Sequence, residues 1–103
     1  MSRLLWTQRQ DLGPAARYGC GMAFDPVRGR TVLFGGTSTA GISYPDTWAW
    51  DGGSWTQLDD SGPVGRFSFG MTGDTTRKCV VLFGGETAAG KLMGDTWEWD
   101  GTA

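Results

Sequence analysis

The segment VLFGG occupies residues 32–36 and recurs unchanged at residues 81–85. A shift of 49 residues superimposes 6–54 on 55–103 without a gap, with 24 of 49 positions identical. In each segment three apolar residues favour a buried strand, and the two glycines permit the positive φ angles or close backbone approach at which a strand ends. The sequence therefore predicts two repeats, repeat 1 (6–54) and repeat 2 (55–103), of a length typical of sheet units that stack on their neighbours.

Each repeat predicts four short strands separated by turn residues. Eighteen glycines and six tryptophans favour an all-β fold, because glycine destabilises helices and aromatic residues suit a pleated surface. The predicted strands are A at 17–24 and 66–73, B at 30–36 and 79–85, C at 46–51 and 95–100, and D at 54–58 with its counterpart at 4–8.

Alternation along strand A separates bulky side chains from small ones, because successive residues point to opposite faces of a sheet. One face carries Tyr18, Cys20, Met22 and Phe24, and the other carries Gly19, Gly21 and Ala23. In repeat 2 the corresponding faces carry Phe67, Phe69 and Met71, and Ser68, Gly70 and Thr72. We expect the bulky face of one sheet to pack on the bare face of the next, which fills space without voids.

Composition argues against several classes of function. The net charge of −2, with charges of both signs interspersed, predicts neither a nucleic-acid nor a membrane partner. The chain has no histidine, so we expect no enzyme, no metal and no cofactor. Cys20 and Cys79 lie outside any CxxC motif and are each expected to be a buried free thiol. Neither a signal peptide nor a membrane-spanning run is recognisable, which predicts a soluble, cytoplasmic chain.

These features together resemble the kelch repeat. The resemblance rests on VLFGG found twice, on the loops 37–45 and 86–94, and on the aromatic segments DTWAWDG and DTWEWDG. It also rests on a Trp that opens the next strand, Trp55 and, by register, Trp6. It covers residues 6–101, and the DTW form is similar to that of prokaryotic kelch proteins.

The resemblance implies a β-propeller of four-stranded antiparallel blades, with strand A innermost and strand D outermost. Two blades cannot close a ring. We therefore predict that the N-terminal strand, 4–8, completes the last blade of a neighbouring chain in a head-to-tail contact. The expected partner is the chain itself, as a homotrimer with six blades or, as the alternative, a homotetramer with eight. The predicted interface residues are Leu4, Leu5, Trp6, Trp97 and Trp99.

The function predicted first is a self-assembling scaffold or binding module, and the near-unbroken repeat register is also typical of an engineered or ancestral-type sequence.

In kelch propellers an arginine near the start of strand A often faces the central mouth, so Arg17 and Arg66 could bind an anionic ligand bidentately. The alternative is that they pack between the sheets and pair with Asp11 and Asp60 or with neighbouring carbonyls.

Further candidates lie in the loops between strands B and C. Tyr44 and Met93 could contact a ligand, since loops on rigid scaffolds commonly carry recognition, or they could pack on a neighbouring blade.

Two further functions are alternatives to the scaffold. A lectin-like propeller would stack sugars on tryptophans, although a core between blades explains those residues better; they are Trp48, Trp50, Trp97 and Trp99. An excised fragment of a longer kelch protein is a further alternative. Kelch-type copper oxidases use histidine ligands, which this chain lacks. The recurring carboxylates predict turn and cap roles rather than a catalytic pair; they are Asp46, Asp51, Asp95 and Asp100.

Overall fold

A computed structural model describes residues 5–10, 12–60 and 62–101, and within these ranges it contains seven β-strands and no helix. The prediction of an all-β fold is confirmed. None of the described segments forms a helix long and apolar enough to cross a membrane. The strands are β1 (Gly21–Asp25), β2 (Arg30–Phe34), β3 (Thr47–Trp50), β4 (Trp55–Asp59), β5 (Gly70–Asp74), β6 (Cys79–Phe83) and β7 (Thr96–Trp99).

The strands form two antiparallel sheets. The first sheet has the order β1-β2-β3-β4, and the second sheet has the order β5-β6-β7. The repeat shift maps β5, β6 and β7 onto β1, β2 and β3, so the two sheets differ by the strand β4. Its repeat counterpart was predicted at 4–8; Leu4 lies outside the described residues, and residues 5–10 form no strand within the single chain.

The strands are shorter than predicted, and positive backbone φ angles explain where they start and end. Strand A was predicted from residues 17 and 66 but begins at Gly21 and Gly70, because Gly19 (φ 70°) and Ser68 (φ 58°) interrupt the extended backbone. Strand B was predicted to include the double glycines but ends one residue before them. All four glycines have positive φ, with values of 75° and 100° at 35–36 and 80° and 100° at 84–85.

The two sheets pack face to face, and we call this contact the seam. A bulky face packs on a bare face, as the alternation in strand A predicts, and it is the first sheet that contributes the bare face and the second sheet the bulky one. A Cβ atom at Gly21 would lie 2.6 Å from Phe69 Cε1 and 3.1 Å from Met71 Cβ, so only glycine fits there. The rings of Phe34 and Phe69 meet with their centroids 5.7 Å apart. The sheets approach most closely along β1 and β5.

The buried apolar residues come mainly from the second strand of each sheet. Among the described residues the buried apolar side chains are Val32, Leu33, Phe34, Ala49, Cys79, Val80 and Leu82. Toward β3 and β7 the sheets diverge around a cavity of about 60 Å³, lined in part by Phe34, Trp97 and Trp99. Both cysteines are free thiols, but Cys20 is half-buried rather than buried as predicted, since its face of the first sheet lies outside the seam.

The turns between the first two strands of each sheet differ at one strained position. Gly29 has a φ of 66°, whereas its counterpart Lys78 has the same left-handed conformation at 59°. Side chains with a Cβ are disfavoured there because the Cβ crowds the following carbonyl oxygen.

Lys78→Gly should therefore raise the free energy of unfolding by roughly 0.5–1 kcal/mol, measured as a higher urea midpoint at fixed chain concentration. The matched control, Gly29→Lys, should lower the midpoint by a similar amount. A lower midpoint for Lys78→Gly would show that the turn carries no strain.

Candidate functional site

In repeat 1 a buried ion pair links the segment that precedes β1 to the segment that precedes β3. Arg17 and Asp46 form two parallel hydrogen bonds, Nη1 to Oδ1 at 2.6 Å and Nη2 to Oδ2 at 3.0 Å. The guanidinium also donates to the carbonyl oxygens of Gly35 at 3.1 Å and Ala15 at 2.9 Å. The indole Nε1 of Trp48 donates to Asp46 Oδ2 at 2.7 Å.

Repeat 2 builds the same cluster from the equivalent residues. Arg66 donates to Asp95 at 2.6 and 3.0 Å and to the carbonyl oxygens of Gly84 at 3.2 Å and Val64 at 3.1 Å. Trp97 Nε1 donates to Asp95 Oδ2 at 2.7 Å. The side chain of Arg66 is fully buried, and that of Arg17 is 4% exposed. We refer to these two sites as the Arg–Asp–Trp clusters.

The double glycine makes room for the arginine. A Cβ at Gly36 would lie 3.1 Å from Arg17 Cδ and 3.0 Å from the carbonyl oxygen of Tyr18. The neighbouring glycine carbonyl, that of Gly35, accepts a guanidinium hydrogen bond. The VLFGG segment thus ends strand β2. It also leaves space for the side chain of Arg17, which precedes the neighbouring strand β1.

The clusters hold both carboxylates in the ionised form. Hydrogen bonds from Arg66 and Trp97 place the pKa of Asp95 far below its ordinary value. At Asp46, burial acts to raise the pKa, but the hydrogen bonds and charge of Arg17 together with the bond from Trp48 outweigh it, and the pKa is lowered. A bidentate, charge-assisted pair of this kind is stronger than an ordinary hydrogen bond.

The structure corrects the carboxylate partners predicted for the arginines. Arg17 and Arg66 bond to neighbouring carbonyl oxygens, as the alternative interpretation predicted. Their carboxylate partners, however, are Asp46 and Asp95. Asp60 is not the partner of Arg66, and Asp11 lies outside the described residues. Asp46 and Asp95 are therefore ion-pair partners, not the turn or cap residues that were predicted. Asp51 does serve a turn, accepting the N–H groups of Gly53 and Ser54 at 2.8 and 2.9 Å.

The remaining candidate ligand residues do not converge on one pocket. The ring of Tyr44 is half-buried and packs against the Arg17 guanidinium, 4.1 Å from Cζ to the ring centroid. Met93 is half-buried in the other loop. Since the arginines are buried and already bonded within the chain, binding of an anion by Arg17 and Arg66 stays a prediction that would need these pairs to open.

The tryptophans divide between seam and surface. Trp97 and Trp99 line the cavity of the seam, and Trp97 remains 43% exposed beside it. Trp50 packs against Trp55 across β3 and β4, with centroids 5.6 Å apart. Trp6 is fully exposed and Leu5 is 73% exposed. Sugar stacking on these residues stays a prediction.

Both outer sheet faces carry exposed apolar side chains. On the first sheet, Met22 and Phe24 are 53% and 55% exposed, on the face opposite the seam. On the second sheet, Phe83 is 56% exposed and lies beside Gly70 across the β5–β6 register. A groove of about 410 Å³ follows this second face and is lined by Ser68, Phe69, Gly70, Phe83, Gly84, Gly85, Glu86, Leu92 and Met93.

Other chemistry is sparse in the part of the chain that the structure describes. There, no three His, Cys, Asp or Glu side chains gather in a way that could hold a metal ion. No protein-family model matches the chain, and no curated protein sequence matches it either. The geometry of the chain is therefore the basis for any proposal about its function.

The partners of the arginines went unrecognised in the sequence, although a signal was present. Asp46 and Asp95 each stand two residues before a Trp, and each follows its arginine by the same separation in both repeats. The same Arg-to-Asp spacing in both repeats indicates a structural pair, but the spacing alone does not determine which acidic residue binds which arginine.

Breaking the cluster of repeat 1 should destabilise the fold. Asp46→Asn leaves the buried Arg17 guanidinium without its counter-charge, so the free energy of unfolding should fall by about 3 kcal/mol, measured by urea denaturation. Asp51→Asn, which alters an exposed turn, is the control and should change it by less than about 1 kcal/mol. An equal, small effect of both substitutions would mean that the ion pair contributes no net stability.

The same carboxylates predict a pH dependence. Because their pKa values are lower in the folded chain than the ordinary 3.8, the unfolded chain binds protons first as pH falls. Their stabilisation is complete above about pH 5 and is lost progressively from about pH 4 downward, through the folded pKa values. Urea midpoints at pH 7, 5, 4 and 3 should show this loss of stability, and the loss should be smaller in the Asp46→Asn variant. If the midpoint of the variant fell with pH as steeply as that of the unaltered chain, the prediction would be wrong.

Proposed function

We propose that the chain is a two-blade, kelch-type unit of a β-propeller that assembles head to tail with copies of itself into a closed ring, and that it acts as a scaffold. One observation carries this proposal. The two outer sheet faces are, by the repeat, the counterparts of the two faces that pack together in the seam. A second copy can therefore repeat on the outside a contact that the chain already makes inside.

The burial of equivalent residues supports this complementarity. Phe34 in the seam is 3% exposed, whereas its counterpart Phe83 on the outer face is 56% exposed. Met71 packs over Gly21 in the seam, whereas its counterpart Met22 is 53% exposed. Placing the first sheet of a second copy on the second sheet would cover Met22 of that copy and Phe83 together.

The total surface also favours association. The chain exposes 6587 Å². A compact monomer of this mass would expose about 5,700 Å². The chain therefore exposes about 900 Å² more than a compact monomer. Burial of apolar surface drives most protein association, and the exposed side chains on both faces supply it.

Strand pairing would add a directional contact. β7 is the edge of the second sheet, while its counterpart β3 is covered by β4. Residues 5–8 are the repeat counterpart of 54–57 in and before β4, so the same segment of a neighbouring copy fits beside β7. Trp6 of that copy would then pack on Trp99 as Trp55 packs on Trp50. An exposed strand edge is a template for pairing, and such pairing gives the contact its direction.

A head-to-tail contact forms a ring when its rotation closes. Three copies supply six blades and four supply eight; we propose the trimer, with the tetramer as the alternative. In the ring the loops 37–45 and 86–94 of each copy gather at one end, where binding partners would be presented.

Multi-angle light scattering tests the assembly. We expect a particle mass about three times the 11.1 kDa of one chain, independent of concentration in the micromolar range. A mass four times that of the chain would select the tetramer. A mass of one chain at every concentration would refute self-assembly and favour a fragment of a longer propeller.

The tryptophan pair gives a matched test of strand exchange. Trp6→Ala should lower the particle mass toward that of one chain while the fold is kept, because Trp6 is fully exposed in the single chain. Trp55→Ala removes the equivalent contact inside the chain and should instead lower the urea midpoint. Unchanged mass for Trp6→Ala would show that residues around Trp6 do not join the copies.

A further inference from the structure

In the seam, one side chain fills a site made by glycine. The ring of Phe69 lies where Cβ atoms would stand at Gly21 and Gly35, 2.6 and 3.0 Å from its nearest ring carbons, and it meets the ring of Phe34. A single larger residue at either glycine position would expel the ring.

Two backbone hydrogen bonds near this ring join repeat 1 to repeat 2. The N–H of Gly36 donates to the carbonyl oxygen of Arg66 at 2.8 Å, and the N–H of Ser68 donates to the carbonyl oxygen of Gly19 at 2.9 Å. The segment that precedes β5 is therefore docked on repeat 1 by one ring and two main-chain bonds.

The second sheet carries the counterpart of this docking site, and there it is open. Gly70 and Gly84 take the positions of Gly21 and Gly35, and Phe83 takes the position of Phe34. A Cβ at Gly70 would meet only one atom within 4 Å, the carbonyl oxygen of Phe83 at 4.0 Å. The groove of about 410 Å³ occupies this place.

The first sheet carries the counterpart of the segment that docks. Residues 18–22 correspond to 67–71. Gly21 is buried in the seam, but the side chains on the other face of this segment lie outward: Tyr18 is 57% exposed, Met22 is 53% exposed and Cys20 is half-buried. Cys20 stands where repeat 2 has Phe69, and this is the one position of the docking segment at which a bulky ring is replaced by a much smaller side chain.

We propose that the groove on the second sheet is the docking site for residues 18–22 of a second copy of the chain, with the Cys20 thiol in the place that Phe69 holds in the seam. This inference rests on the proposed head-to-tail assembly and specifies its contact. The N–H of Gly85 would donate to the carbonyl oxygen of Arg17 of the second copy, as Gly36 does to Arg66.

The thiol fills less of the groove than a phenyl ring, so the contact between copies is looser than the seam within each chain. Unfilled apolar volume weakens a contact because the lining atoms lose packing partners. Cys20 thereby sets the strength of assembly, and copies separate before the sheets of one chain do. The thiol is also shielded when the copies are joined.

The test measures association of four forms by sedimentation over a dilution series: the unaltered chain, Cys20→Phe, Phe83→Glu and, as an exposed apolar control, Val27→Glu. Val27 lies in the turn after β1 and is 50% exposed. Cys20→Phe should lower the concentration of half-dissociation about tenfold or more. Phe83→Glu should raise it by at least as much, and Val27→Glu should leave it within about threefold. Urea midpoints at high dilution show that each variant folds.

Alkylation by iodoacetamide supplies a second readout, with Cys20 and Cys79 resolved by peptide mass spectrometry. Cys20 should react more slowly as chain concentration rises through the half-dissociation point, while Cys79, which is buried in the single chain, should not change. Assembly with a Cys20 rate independent of concentration and with no effect of Phe83→Glu would overturn this contact and leave strand exchange as the link. A single-chain mass for all forms, Cys20→Phe included, would overturn the assembly itself.

Discussion

The ring of Phe69 lies on the backbone of Gly21 and Gly35, and the packing of the two sheets depends on this contact. The absence of side chains at the two glycines lets the second sheet approach closely enough for Phe34 to become buried. The main-chain bonds between Gly36 and Arg66 and between Ser68 and Gly19 then hold the sheets in register. A small residue facing a large one is thus the basic unit of packing in this chain.

The Arg–Asp–Trp clusters act at a second level, inside each repeat. Each joins the loop before strand A to the loop before strand C, across the double glycine that ends strand B. A buried guanidinium requires a counter-charge and acceptors for its remaining donors, and the cluster supplies both. Arg17 and Arg66, which suggested an anion site, therefore stabilise the interior of each repeat. The outer sheet faces are surfaces on which apolar side chains remain exposed.

Much of the fold could be predicted because two periodicities are visible in the sequence: the 49-residue repeat and the alternation of bulky and small residues within strands. Alternation of Met22 and Phe24 with Gly21 and Ala23 predicted that a bulky face would pack on a bare face, since side-chain direction in a strand follows position. The strand starts were wrong because the left-handed backbone at Ser68 leaves little trace in sequence: serine is not a residue that usually marks positive φ. The partner of each arginine was also missed, because an ion pair between loops depends on how strands B and C bring those loops together.

Length, repeat and residue alternation in the sequence determined an all-β chain of two similar sheet units, each with a bulky and a bare face. Only the tertiary structure decided that the bare face of the first sheet meets the bulky face of the second, and that Asp46 and Asp95 are the partners of the arginines. The physical reason is that local sequence controls backbone shape and side-chain direction. Which surfaces and charges meet depends on the path of the whole chain, and that path buries Phe34 while it leaves the equivalent Phe83 exposed.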